Sequence, residues 1–182
     1  MNWKSLFYPL APSWGNTLHA KRRKGLWYRH VPAGVLECQV EQDRMFWELF
    51  LHPGGGGTFL EVGAGDGVVG NQTQGLEQKH GWTGTIVEPM EKPRGRAKAI
   101  RRCRVEREAR NGEASESPDL LAVHRPTDFP EIWAALRSGR LRPGWVVVEN
   151  REPDPRWCRL LEEQGYRLKF YFHDDEYFEK ES

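Results

Sequence analysis

From position 58 onward, short apolar runs alternate with stretches in which apolar residues recur at helical spacing. The runs at 58–62, 84–88, 103–107, 119–124 and 145–149 read as strands, and the intervals 70–80, 93–101, 129–137 and 155–164 read as helices. Two helices carry end signals. Asp128 with Glu131 three residues later resembles a capping box, and Asp154 before Pro155 places an N-cap ahead of a proline, with Gly165 as the stop. Trp157, Leu160 and Leu161 give the last helix one apolar stripe, and 166–179 alternates apolar and polar residues around Asp174-Asp175, as a terminal antiparallel hairpin does. Buried strands alternating with amphipathic helices predict an α/β fold: a mainly parallel central sheet, helices on both faces, and a C-terminal antiparallel hairpin.

Upstream the pattern differs. Residues 1–37 are rich in proline, glycine, aromatic and basic residues without a sustained period, and read as an N-terminal extension. Phe46, Leu49 and Phe50 then follow helical spacing within 40–51, and Pro53 with the glycines at 54–57 ends that helix. The expected domain is 38–182, one unit with enough length and enough large side chains (eight Trp, eight Phe, five Tyr) to bury a core.

Composition narrows the class. A mean hydropathy of −0.74 and 29% charged residues exclude a membrane-embedded chain, and no signal peptide or spanning segment is visible. Lys and Arg (27) nearly balance Asp and Glu (26), so net charge calls for no polyanionic partner. Cys38, Cys103 and Cys158 are odd in number and widely spaced, which fits a reducing compartment and an expected cytoplasmic location. The scattered histidines and the absence of an acidic coordinating loop predict no zinc or calcium site.

The candidate chemistry begins at Phe59-Leu60-Glu61-Val62-Gly63-Ala64-Gly65-Asp66-Gly67. A strand here runs into a glycine-rich turn whose backbone can approach a ligand closely. Residues 65–70 also match the dinucleotide fingerprint G-x-G-x-x-G, so a nicotinamide-dependent oxidoreductase is an alternative. Against it, Glu61 sits late in the strand, and Asp66 inside the turn would repel a pyrophosphate. S-adenosylmethionine brings no phosphate and has a cationic, amino-acid-like end, so these acids suit it. Glu88, closing the next strand, can accept hydrogen bonds from a ribose diol, and Glu108 after the third strand could meet an adenine amino group.

Gln42-Asp43-Arg44, the glycine turn, Asn71-x-Thr73, Leu76-Glu77, Gly81-Trp82-x-Gly84 and Ile86-Val87-Glu88-Pro89 together resemble the FkbM family of class I S-adenosylmethionine-dependent methyltransferases. Val148-Glu149-Asn150, the Leu161 and Gly165-Tyr166 spacing, and Asp174-Asp175 resemble its closing elements. The resemblance spans about 38–182 and implies a Rossmann-like methyltransferase fold and O-methylation of a hydroxyl on a small molecule or sugar. It implies a cofactor site of Glu61, Gly63, Ala64, Gly65, Asp66, Gly67, Asn71, Glu88, Pro89 and Glu108. The chain departs from the family at the fourth strand, where Val123-His124-Arg125-Pro126-Thr127 replaces the usual Ile-Asp-x-Glu-Gly. A catalytically degenerate cofactor-binding module is therefore a second reading.

For catalysis, His124 is the candidate base, since an ordinary imidazole accepts a proton at neutral pH, and Glu149 the candidate to orient it or to bind the acceptor. The basic run at 92–110, interleaved with Glu91, Glu106 and Glu108, reads as a solvated helix face, and no nucleic-acid partner is expected. Residues 21–30, which mix cations with Trp27 and Tyr28, are the better candidate for holding a phosphorylated or nucleotide-linked acceptor.

Overall fold

The structure, a computed structural model, describes residues 55–109, 117–149, 154–172 and 175–181. The expected N-terminal extension, the helix at 40–51 and the basic-aromatic segment 21–30 lie outside the described residues. In chain order the elements are β1 (Thr58–Val62), α1 (Gln74–His80), β2 (Thr83–Val87), α2 (Glu91–Ile100), β3 (Arg104–Glu106), β4 (Leu120–Val123), α3 (Pro130–Arg137), β5 (Trp145–Glu149), α4 (Pro155–Glu163), β6 (Tyr166–Phe172) and β7 (Asp175–Lys180).

The strands form one sheet in the order β3-β2-β1-β4-β5-β7-β6. The first five run parallel, and β7 enters antiparallel between β5 and β6. Strand β4, Leu-Leu-Ala-Val, is buried along its whole length because helices cover both faces, which is why it reads as a continuous apolar run. The period of two then sorts side chains. Leu60, Val62, Leu121, Val123, Val146 and Val148 join Ile132, Leu136 and Leu161 from α3 and α4 on one face. Phe59, Leu120, Ala122, Trp145 and Val147 join Leu76 and Ala97 from α1 and α2 on the other.

Continuing that second face by one step puts Glu61, His124 and Glu149 in a polar layer at the carboxyl end of β1, β4 and β5. Asp175 joins them, because β7 pairs it with Glu149 and places Tyr177 opposite Val147.

Two expected starts move. Helix α1 begins at Gln74 rather than 70, because residues 63–73 form a loop with positive φ at Gly63, Gly65, Gly67 and Gly70. The capping box at Asp128 and Glu131 does not form: the helix starts at Pro130, Phe129 is its N-cap without a side-chain cap, and Asp128 lies in a 3-10 turn, Pro126–Asp128. Its carboxylate pairs instead with Arg125 at 3.6 Å. The other signal behaves as expected. Asp154 accepts from the Arg156 amide at 3.0 Å, a cap worth ~1 kcal/mol, and Gly165 takes the left-handed conformation just past the helix.

Candidate functional site

A cleft of about 700 Å³ opens over the carboxyl ends of the parallel strands, within the range typical of cofactor and small-molecule sites. Gly63, Ala64 and Gly65 line it from the β1 loop, Met90 from the start of α2, His124 to Asp128 from beyond β4, and Glu149, Asp154, Arg156 and Trp157 from β5 and α4. Val69 and Met90, two of the exposed large apolar side chains, sit on its border. A second hollow lies at the opposite sheet edge, around Trp82 and Cys103, and holds none of the candidate residues.

The loop after β1 is drawn close to its neighbours. Gly63 takes φ 77°, and a Cβ there would stand 2.9 Å from both the His124 carbonyl and the Phe129 ring. Gly65 takes φ 60° with open space where a side chain would project. Its amide donates to Glu88 Oε2 at 2.8 Å, while Glu88 Oε1 accepts from the Met90 amide at 2.9 Å. Glu88 thus fastens the β1 loop to the β2 loop. Its side chain is fully buried and Oε2 also meets Arg125 Nη2 at 3.4 Å, so the acceptor capacity left beside the glycine turn is the second lone pair of Oε1. That donor set and the open face at Gly65 fit a nucleoside cofactor.

Glu61 is placed differently. Its side chain is fully buried behind the loop and accepts from Asn71 Nδ2 at 2.8 Å, the Gln72 amide at 2.9 Å, Thr73 Oγ1 at 2.5 Å and His124 Nε2 at 2.7 Å. Those four donors match the four lone pairs of a carboxylate. Burial alone would raise its pKa, but the His124 hydrogen bond and charge, with Arg101 and Thr73, hold it below the usual value.

His124 has a carboxylate on each nitrogen: Nε2 meets Glu61, and Nδ1 lies 3.1 Å from Glu149 Oε2. Burial pushes its pKa down, yet the bonds to Glu149 and Glu61 and the charges of Glu61 and Asp175 outweigh it and push the pKa up to about 10. The expectation of an ordinary imidazole therefore meets a correction. At neutral pH the ring is an imidazolium with both N–H groups donated, and holds no lone pair for a substrate proton. Glu149, partly exposed on the cleft wall, is the acid of the pair that faces solvent.

Other candidates lie to the side. Asp66 Oδ1 turns onto its own loop, accepting from the Val68 and Val69 amides at 3.1 and 3.0 Å, and these bonds, the Val69 one foremost, keep its carboxyl below the usual range. Gly67 is buried against Ala97 and Arg101, Asn71 points inward to Glu61, and Pro89 is exposed with its carbonyl accepting from Arg94. Glu108 is exposed and does not line the cleft.

The sequence assigns no site role to Arg101, Gln72 or Arg125, and Thr73 enters it only within Asn71-x-Thr73. Arg101, buried inside the supposedly solvated basic run, bonds Glu77 at 2.5 Å, the Gly67 carbonyl at 3.0 Å, Asn71 Oδ1 at 2.8 Å and Thr73 Oγ1 at 2.9 Å. Gln72 reaches Asp175 at 2.7 Å. These bonds brace the loop from beneath. Arg125 stands at φ 48°, a left-handed backbone costing a non-glycine residue ~1–2 kcal/mol, and sets its guanidinium 3.4 Å from Glu88. Strain of that kind tends to persist at ligand sites. Among the described residues no cluster suited to a metal ion is present, and no helix is long and apolar enough to cross a membrane.

No protein-family model and no curated protein matches the chain in sequence. Solved structures do match it in three dimensions. Magnesium protoporphyrin IX methyltransferase from Synechocystis PCC 6803, crystallised with S-adenosylmethionine bound, superposes with a TM-score of 0.56 at 10% identity, covering 99% of this chain and 90% of that one. Precorrin-6y C5,15-methyltransferase from Geobacter metallireducens gives 0.54 at 18% identity, covering 81% and 90%. A TehB-like S-adenosylmethionine-dependent methyltransferase from Corynebacterium glutamicum gives 0.53 at 15% identity, covering 90% and 97%. With its 3-2-1-4-5-7-6 sheet, the chain has the Rossmann-like fold of S-adenosylmethionine-dependent methyltransferases.

Proposed function

We propose that this chain is an S-adenosylmethionine-dependent methyltransferase acting on a hydroxyl of a small-molecule acceptor, as the FkbM resemblance implies, and that it works in the cytoplasm. The observation that carries the reading is Glu88 at the end of β2, closed onto the Gly65 amide where the glycine loop borders the cleft. Glu88 accepts a ribose hydroxyl through Oε1, Gly63, Ala64 and Gly65 supply a wall of backbone and small side chain, and Pro89-Met90 covers the base. Glu61, Gly67 and Asn71 serve the site from behind, by holding the loop. When bound there, S-adenosylmethionine supplies an electrophilic methyl group on a sulfonium.

The chain's own share of the chemistry is alignment and removal of one proton. Glu149 is the residue we assign to that proton, since it is the carboxylate of the triad that lines the cleft. His124 keeps it oriented by donating Nδ1–H, and Glu61 in turn keeps His124 charged. The triad takes the place of the acids that the family carries after the fourth strand.

The doubly bonded His124 also favours a second reading, a module that binds the cofactor without turnover. Calorimetric titration with S-adenosylmethionine, S-adenosylhomocysteine and NAD, followed by product detection with hydroxylated acceptors, separates the readings. Donor binding with product supports the enzyme, donor binding without product the module, and NAD binding alone an oxidoreductase.

A further inference from the structure

Past the triad the cleft ends in a stack of flat groups. Trp133 and Trp157 lie face to face with ring centroids 4.5 Å apart and planes 20° from parallel. The Arg156 guanidinium lies over the Trp157 ring, its carbon 5.3 Å from the centroid. Trp133 is buried and fixed by its Nε1–H donating to the Pro126 carbonyl at 2.6 Å. Arg156 and Trp157 both line the cleft.

The Nε–Nη2 edge of that guanidinium is already engaged. Nε donates to Asp154 at 2.8 Å and Nη2 at 2.5 Å, so a carboxylate balances the charge and takes the bidentate edge an anion would prefer. With one face on Trp157, an edge-bound guanidinium still offers its other face, and flat π-systems stack there. Asp154 is itself set in place by capping α4, so the group is held at the cleft rather than swinging freely.

We infer that the Arg156–Trp157 end of the cleft is a stacking platform for a flat aromatic acceptor, whose hydroxyl is presented toward Glu149. The acceptor role rests on the methyltransferase reading, while the preference for a flat ring rests on the stack alone. An aliphatic polyol gains little from such a wall, and a phosphate finds the guanidinium's charge already paired with Asp154 and its Nε–Nη2 edge taken.

The test is a calorimetric comparison of naphthol with decahydronaphthol, the saturated alcohol of the same skeleton, with and without S-adenosylhomocysteine, and with cyclohexanecarboxylate as the anionic probe. The platform predicts that naphthol binds about fivefold tighter than decahydronaphthol. That preference should vanish in Arg156→Lys, which keeps the charge but loses the plane, and in Trp157→Leu, each checked for an intact unfolding transition. Equal affinity of the two alcohols, a preference surviving both variants, or cyclohexanecarboxylate outbinding naphthol overturns the inference. Failure of S-adenosylhomocysteine to bind at all overturns the methyltransferase reading, and the acceptor role with it, in a separate titration.

Discussion

His124 Nε2 lies 2.7 Å from Glu61 Oε1, so a buried hydrogen bond ties the end of β4 to the middle of the cofactor loop's support. With Nδ1 on Glu149, one imidazolium joins three adjacent strand ends. Removing a partner from such a buried charged set leaves a desolvated charge behind, which costs far more than a surface pair is worth.

Stability should therefore fall as pH rises. The His124 pKa stands at about 10 in the fold, against ~6.5 for an unperturbed histidine. A raised pKa contributes stability that is complete below about pH 6.5 and lost as pH climbs through about 10. Between those limits the slope approaches ~1.4 kcal/mol per pH unit. Urea unfolding of wild type and His124→Asn across this window is expected to show the two curves converging, and parallel curves would contradict the imidazolium.

Glu149→Gln keeps the size of the side chain and removes its basicity. If Glu149 takes the acceptor's proton, turnover should drop by about 10²–10⁴-fold while S-adenosylhomocysteine affinity stays within about twofold. Steady-state kinetics beside calorimetry reads both quantities. Unchanged turnover would free Glu149 from the chemistry.

Arg101→Met should destabilise the fold by about 3–5 kcal/mol, since buried Glu77 would lose its cation and keep only the Cys103 amide, and the carbonyl of Gly67 would lose the Arg101 donor. Lys98→Met, on the exposed face of α2 just before it, should stay within about 0.5 kcal/mol. Denaturant midpoints with slopes compared give the difference.

How far these features could be read from the chain follows from what fixes them. Trp145–Glu149 and the Asp154-Pro155 start of α4 depend on local burial and capping, and both were legible. The paired signal at Asp128 and Glu131 was overruled by Pro130, whose fixed φ starts the helix itself, and by Arg125, which takes the carboxylate. The glycine turn and Glu88 were visible as spacing, but not that Glu88 binds the Gly65 amide 23 positions earlier. His124's charge is set by Glu149 and Glu61, 25 and 63 residues away, and Arg101 looks like every other cation in its run. Long-range partners decide both, and no local pattern encodes them.

Glu88→Ala removes the acceptor we assign to the ribose and unlatches the glycine loop together. Hydrogen bonds to a charged group are worth ~1.5–3 kcal/mol each, so S-adenosylhomocysteine affinity should fall by at least about tenfold. An affinity equal to wild type would move the ribose elsewhere.

Calorimetry of the wild-type chain against S-adenosylmethionine tests the central claim most directly. The account predicts saturable binding at one site per chain, shared with S-adenosylhomocysteine and not with NAD. A titration that shows no binding of either nucleoside, or binding of NAD in their place, would contradict it.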